Sequence, residues 1–222
     1  METIRIEIEA SDAVSGLLLN PPDARGCFVL AHGAGAGMTH PFMAAVATGL
    51  HERRIATLRY QFPYMEKGLK RPDTPAVARA AVRAAAAEAV RRCPGLPLIA
   101  GGKSFGGRMT SQAQAQAPLA HVRGLAFLGF PLHPAGKPSK ERAKHLEDIR
   151  IPMLFLQGTR DNLAELPLLQ PVTQALGASA SLTLFEHADH SFHVPARSGR
   201  NDRDVMRELL DVLSAWIVAR AA

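Results

Sequence analysis

Gly102-Lys103-Ser104-Phe105-Gly106 sets a serine between two glycines, each two residues away, directly after the apolar run Leu98-Ile99-Ala100. A G-x-S-x-G spacing between a strand and a helix suits a nucleophilic serine. The sharp turn lifts the hydroxyl clear, small neighbours let the chain pass itself, and the next helix aims free N–H groups at the same point. The chemistry this serves is acyl transfer. Read instead as a phosphate-binding loop, Gly102-Lys103-Ser104 would need a glycine at position 97, where the chain has Pro97.

Three further windows follow apolar runs. After Cys27 to Ala31 comes His32-Gly33-Ala34-Gly35-Ala36-Gly37-Met38, which fails a dinucleotide fingerprint because Met38 replaces its third glycine. A glycine-rich loop here can supply a backbone donor to a developing oxyanion. The expected donors are the N–H groups of Ala34 and Phe105, with Gly35 as a neighbour at the substrate, while His32 is expected to brace the loop. After Met153 to Leu156 comes Gln157-Gly158-Thr159-Arg160-Asp161, where an acid stands on the ligand side of an open sheet. After Leu182 to Phe185 comes a stretch with His187, Asp189, His190 and His193. Without a nearby cysteine or paired carboxylates its histidine spacing does not read as a metal site, and one histidine is expected to act as general base.

These windows need a sheet to bring them together. Residues 2 to 9 and 14 to 19 alternate apolar and polar side chains, as in an opening hairpin. Continuous apolar runs follow at 27–31, 55–58, 98–100, 125–130, 153–156 and 182–185, the signature of strands buried on both faces. Between them lie helical segments at about 40–53, 75–92, 105–117, 140–148, 164–176 and 203–220, with Thr74-Pro75 as N-cap and first-turn proline of the second. In the last, Val205, Leu209, Val212, Leu213 and Trp216 recur on one face. Strands alternating with helices predict a doubly wound α/β fold with a mostly parallel sheet. The stretch 131–145 is where an insertion or lid would sit.

At 222 residues, 47% of them hydrophobic, the chain is long enough for one α/β domain over 1–222 with a sizeable core. Its two cysteines form no disulfide framework, which points to a reducing compartment. No apolar stretch reaches membrane-spanning length and the N-terminus lacks a signal pattern, so a cytoplasmic protein without a membrane partner is expected. The net charge of +6 is dispersed, and the densest basic stretch, Lys137 to His145, includes Glu141 and no aromatic platform. A nucleic-acid partner is therefore not expected.

Taken together, HGAGAGM, GGKSFGGRM, GFPLHPAGKP, LQGTRD and ADHSF resemble the α/β-hydrolase superfamily over roughly residues 25 to 220, with its chain order of Ser, Asp, His. Within it the chain is similar to the small, nearly lidless branch around dienelactone hydrolases, and to the hydrolase-like region of a chromatin acetyltransferase-complex subunit. Dienelactone hydrolases characteristically use cysteine where this chain has Ser104. The resemblance implies Ser104 as nucleophile, His190 as general base and acid in preference to His187 and His193, and Asp161 orienting the imidazole. The four windows together point to a serine hydrolase that cleaves a carboxylic ester or thioester through an acyl-enzyme, and since the chain leaves room for only a small lid, an open, shallow pocket for small or extended acyl groups is expected. No metal or cofactor is implied, because the chain supplies nucleophile, base and oxyanion donors. Charge adds the expectation that His133, Arg108 and Lys137 favour an anionic substrate. The reading from another class is a catalytically silent module with this fold and a protein partner.

Overall fold

In the computed structural model, residues 1–8 and 12–220 are described. Eight strands form one sheet in the order β1-β2-β4-β3-β5-β6-β7-β8: β1 Glu2–Ile8, β2 Asp12–Leu19, β3 Cys27–Ala31, β4 Ala56–Tyr60, β5 Leu98–Lys103, β6 Val122–Leu128, β7 Met153–Gly158 and β8 Ala180–Phe185. β1 and β2 form the expected antiparallel hairpin, and β2 also pairs antiparallel with β4. The remaining pairings are parallel. In β1 burial alternates along the strand, as its sequence does, whereas β3, β4 and β7 are buried throughout.

The helices are α1 Pro41–Glu52, α2 Pro63–Glu66, α3 Pro75–Arg92, α4 Phe105–Gln116, α5 Leu166–Ala175 and α6 Asp202–Val218. They cover both faces of the sheet, and β3 shows how. Cys27, Val29 and Ala31 pack with the buried face of α3, α4 and Leu169 of α5, while Phe28 and Leu30 pack with α1 and α6 on the other side. On α3 the buried face is almost wholly alanine, Ala78, Ala81, Ala85, Ala86 and Ala89 with Val82, which allows close approach to the sheet. On α6 the inward residues are Val205, Leu209, Leu210, Leu213 and Ile217. Val212 and Trp216, expected inside, are only partly buried because they flank that stripe.

Other expectations needed adjustment. Thr74 stands at the N-cap of α3, but its side chain makes no capping bond. Glu141–Asp148 is a 3₁₀ helix, not an α-helix, and the four-residue α2 gave no periodic signal. Among the described residues, no helix is long and apolar enough to cross a membrane.

The order β4-β3-β5 is what locates the site. The chain steps from β3 to one side, returns to the other, and so leaves the loops after β3 and β5 diverging from adjacent C-terminal ends. Ligands of open α/β sheets bind at such a switch point.

Candidate active site

Ser104 stands between β5 and α4 with φ 49° and ψ −114°, a backbone conformation that costs a residue with a side chain roughly 1–3 kcal/mol. The flanking glycines make the turn feasible. A Cβ on Gly106 would stand 2.6 Å from the carbonyl oxygens of both Ala31 and His32, and one on Gly102 would overlap the Ala31 carbonyl. Both are backbone contacts against β3, with no flexible side chain to yield. The G-x-S-x-G spacing is thus a packing requirement of the turn against its neighbouring strand.

His190 reaches this serine from the loop after β8. That loop is built on Asp189, whose Oδ1 accepts the N–H groups of Ser191 at 2.7 Å and His193 at 3.0 Å, while its N–H donates to the His193 carbonyl at 2.9 Å. His187 and Phe192, on either side, adopt left-handed backbone with φ 64° each. The tight turn projects the His190 ring so that Nε2 lies 2.9 Å from Ser104 Oγ. Nδ1 lies 2.7 Å from Oδ2 of Asp161, whose side chain is fully buried.

Asp161 is held as firmly. Oδ1 accepts the Leu163 N–H at 2.8 Å, and Oδ2 accepts Gln157 Nε2 at 2.5 Å in addition to facing His190. Gln157 is itself buried at the end of β7 and accepts the Phe130 N–H at 2.9 Å. Backbone bonds from Thr159 to Phe185 at 3.1 Å and from Arg160 to Ala188 at 2.9 Å stitch the aspartate loop to the histidine loop. Such a Ser–His–Asp arrangement can transfer the hydroxyl proton to an imidazole whose tautomer the carboxylate sets.

The loop after β3 is fixed by His32. Its Nε2 accepts the Phe62 N–H at 3.0 Å, so Nδ1 carries the proton and donates to the Gly33 carbonyl at 2.7 Å. Burial lowers this imidazole to about 4, partly offset by the bond to Gly33. His32 is therefore a neutral brace. Gly35 donates its N–H to Tyr64 Oη at 2.9 Å, and Met38 donates to Gln61 Oε1 at 2.8 Å.

A cleft of about 470 Å³ opens beside Ser104 and His190, lined by Gly33, Ala34, Ala36, His40, Phe42, Met43, Lys103, Leu163 and Ser191. The residues expected at the substrate lie off this lining. Gly35 is not on this lining, and its N–H is committed to Tyr64. His133 is buried elsewhere, with Nδ1 against the Pro134 carbonyl at 2.9 Å. Arg108 lies over the Phe105 ring at 5.8 Å, on the α4 face near Arg142, whose charge adds to burial in lowering its guanidinium. Lys137, on an exposed turn, is also absent from the lining. The 131–145 stretch does not line the cleft; Leu132 and His133 donate their N–H groups to the Leu163 carbonyl, and the 3₁₀ helix that begins at Glu141 packs on α4.

His187 and His193 are not brought to the serine. His193 pairs with Asp202 at 2.8 Å on the surface, an interaction that raises its imidazole. Among the described residues there is no cluster suited to a metal ion. The supports that sequence reasoning missed are Gln157, Tyr64 and Leu163. Only Gln157 left a signal, as the single amide closing an otherwise apolar strand.

With this geometry in place, comparison with known proteins is informative. Residues 24–218 match the family described as alpha/beta hydrolase domain. The chain belongs to that family. Its fold is the alpha/beta-hydrolase fold, and this hydrolase domain resembles several solved structures. Dienelactone hydrolase from Anabaena variabilis superposes with a TM-score of 0.77 at 19% identity, over 98% of this chain and 96% of that one. An esterase domain from Rhodothermus marinus gives 0.75 at 16% identity, over 100% and 99%. A serine hydrolase described as lacking a lid, from Xanthomonas campestris, gives 0.74 at 18% identity, over 97% and 94%.

Proposed function

We propose that this hydrolase-fold protein is a serine hydrolase that cleaves a carboxylic ester or thioester through an acyl-enzyme on Ser104. The observation that carries the reading is the continuous pair of contacts from Ser104 Oγ to His190 Nε2, 2.9 Å, and from His190 Nδ1 to Asp161, 2.7 Å. His190 takes the Ser104 proton as Oγ attacks the acyl carbon, then returns it to the departing alcohol or thiol. Water repeats the sequence on the acyl-enzyme and releases the acid.

The developing oxyanion is received by the N–H of Phe105, the first residue of α4, and that of Ala34. Each such donor contributes about 3 kcal/mol to lowering the barrier. The commitment of Gly35 to Tyr64 favours Ala34 as the loop's donor, because it fixes the backbone beside it. Phe42, Met43 and Leu163 give the cleft an apolar wall for a small or extended acyl group, and its open form suits substrates that need no lid. The nearby esterase and dienelactone hydrolase structures support this class of chemistry. Both cysteines are free and buried, in keeping with a cytoplasmic setting.

The test is stoichiometric labelling with a fluorophosphonate, read by intact mass and peptide mapping. An adduct on Ser104 that disappears in Ser104→Ala and His190→Ala is expected. A folded protein that takes no label would overturn the proposal.

A further inference from the structure

Lys103 precedes the serine in the turn, and its side chain runs underneath the histidine loop. Its Nζ donates to the backbone carbonyl of His190 at 2.5 Å. Phe42 and Phe192, whose rings stack at 5.9 Å, stand on either approach to it, 5.9 and 5.5 Å from Nζ to the ring centroids. Gly129, at the end of β6, leaves the room that the ammonium occupies. A Cβ there would meet Nζ at 2.9 Å and the His190 ring at 3.4 Å, so cation and imidazole flank one point. The titratable groups around it are Asp161 after β7, Asp189 and His190 after β8, and His40 on the same cleft. Burial lowers the ammonium to about 8, against the raising effect of Asp161 and Asp189, so it is still charged at neutral pH.

We propose that Lys103 is a positioning residue for this hydrolase: it anchors His190 over Ser104 by donating to the histidine's own carbonyl. The proposal rests on the serine-hydrolase reading for its effect on rate, but the anchoring contact itself does not. Loss of the donor frees the loop, and small misplacements of a general base slow the chemical step.

The experiment compares Lys103→Met and Lys103→Arg with wild type by fluorophosphonate labelling rate at neutral pH and by amide hydrogen exchange of residues 188–193. Methionine fills the aromatic slot without a charge, so the variant should fold. In Lys103→Met the labelling rate should fall about 10- to 100-fold. Exchange in the histidine loop should quicken. Lys103→Arg, which keeps N–H donors, should recover most of the labelling rate and of the exchange protection. Unchanged labelling and exchange in Lys103→Met would overturn the proposal, as would equal slowing of both variants. If wild type takes no label, the hydrolase reading fails alone when Lys103→Met still quickens exchange, and both fail when it does not.

Discussion

Gln157 donates Nε2 to Oδ2 of Asp161 at 2.5 Å, and this is the carboxylate oxygen that also meets His190 Nδ1 at 2.7 Å. One amide therefore fixes the far end of the Ser104–His190–Asp161 chain, and its carbonyl end is held in turn by the Phe130 N–H. Replacing Gln157 by leucine leaves that N–H and part of the carboxylate unsatisfied in a buried place. Denaturant unfolding should show a loss of about 1–3 kcal/mol. Fluorophosphonate labelling of Ser104 should slow as well, since the aspartate is free to turn.

Ser104 should be worth less than nothing to stability. Its φ of 49° is strained for any side chain and relaxed for glycine. Ser104→Gly should be more stable than Ser104→Ala by roughly 1–3 kcal/mol, with both unable to take label. Thermal unfolding of the two variants side by side gives the difference, and equal stability would show that the turn is not strained.

Tyr64 acts on the other wall. Its hydroxyl accepts the Gly35 N–H, and the ring lies 6.1 Å from that of His32. Tyr64→Phe keeps the packing and removes one bond, at a cost of about 0.5–1.5 kcal/mol. On a chromogenic ester, kcat should drop while KM stays within about twofold, because the Ala34 N–H, the proposed oxyanion donor beside Gly35, would be used more in the transition state than in the ground state.

Acid should destabilise the fold before its carboxylates titrate. His32 is held at about 4 by burial, against 6.5 for the ordinary imidazole, so the unfolded chain binds its proton first as pH falls. Stability from this group is complete above pH 6.5 and is lost as pH falls towards 4. His145, half-buried beside Arg108 and bonded to Ser111 at 2.8 Å, is lowered to about 4 as well, by burial first and the Arg108 charge second, and acts with the same sign. The melting temperature should decline between pH 6.5 and 4, and His145→Gln should make that decline shallower.

Much of this was written in local sequence. The apolar runs located the strands of the parallel region, because residues buried on both faces leave no alternation to confuse with a surface strand. Gly102, Ser104 and Gly106 marked the turn because backbone overlap with β3 excludes other residues there. Ser104, Asp161 and His190 could each be placed after a strand from the pattern alone. What the chain order left open was which of three neighbouring histidines faces the serine, and the answer lies in left-handed backbone at His187 and Phe192 around the Asp189 turn.

The tertiary structure decided the rest. Ser104 and His190 are 86 residues apart, and Gly35 and Tyr64 are 29 apart. Charge suggested Arg108 and His133 for substrate, but a side chain's destination depends on the face of the sheet its element packs against, which took both away from the cleft. The sequence assigned Lys103 no role of its own, and only the approach of the histidine loop to the end of β5 puts its ammonium against the His190 carbonyl. Periodicity, turn strain and backbone overlap act within a few residues and so are legible in sequence. Hydrogen bonds between loops belong to pairs that become neighbours only when the sheet closes.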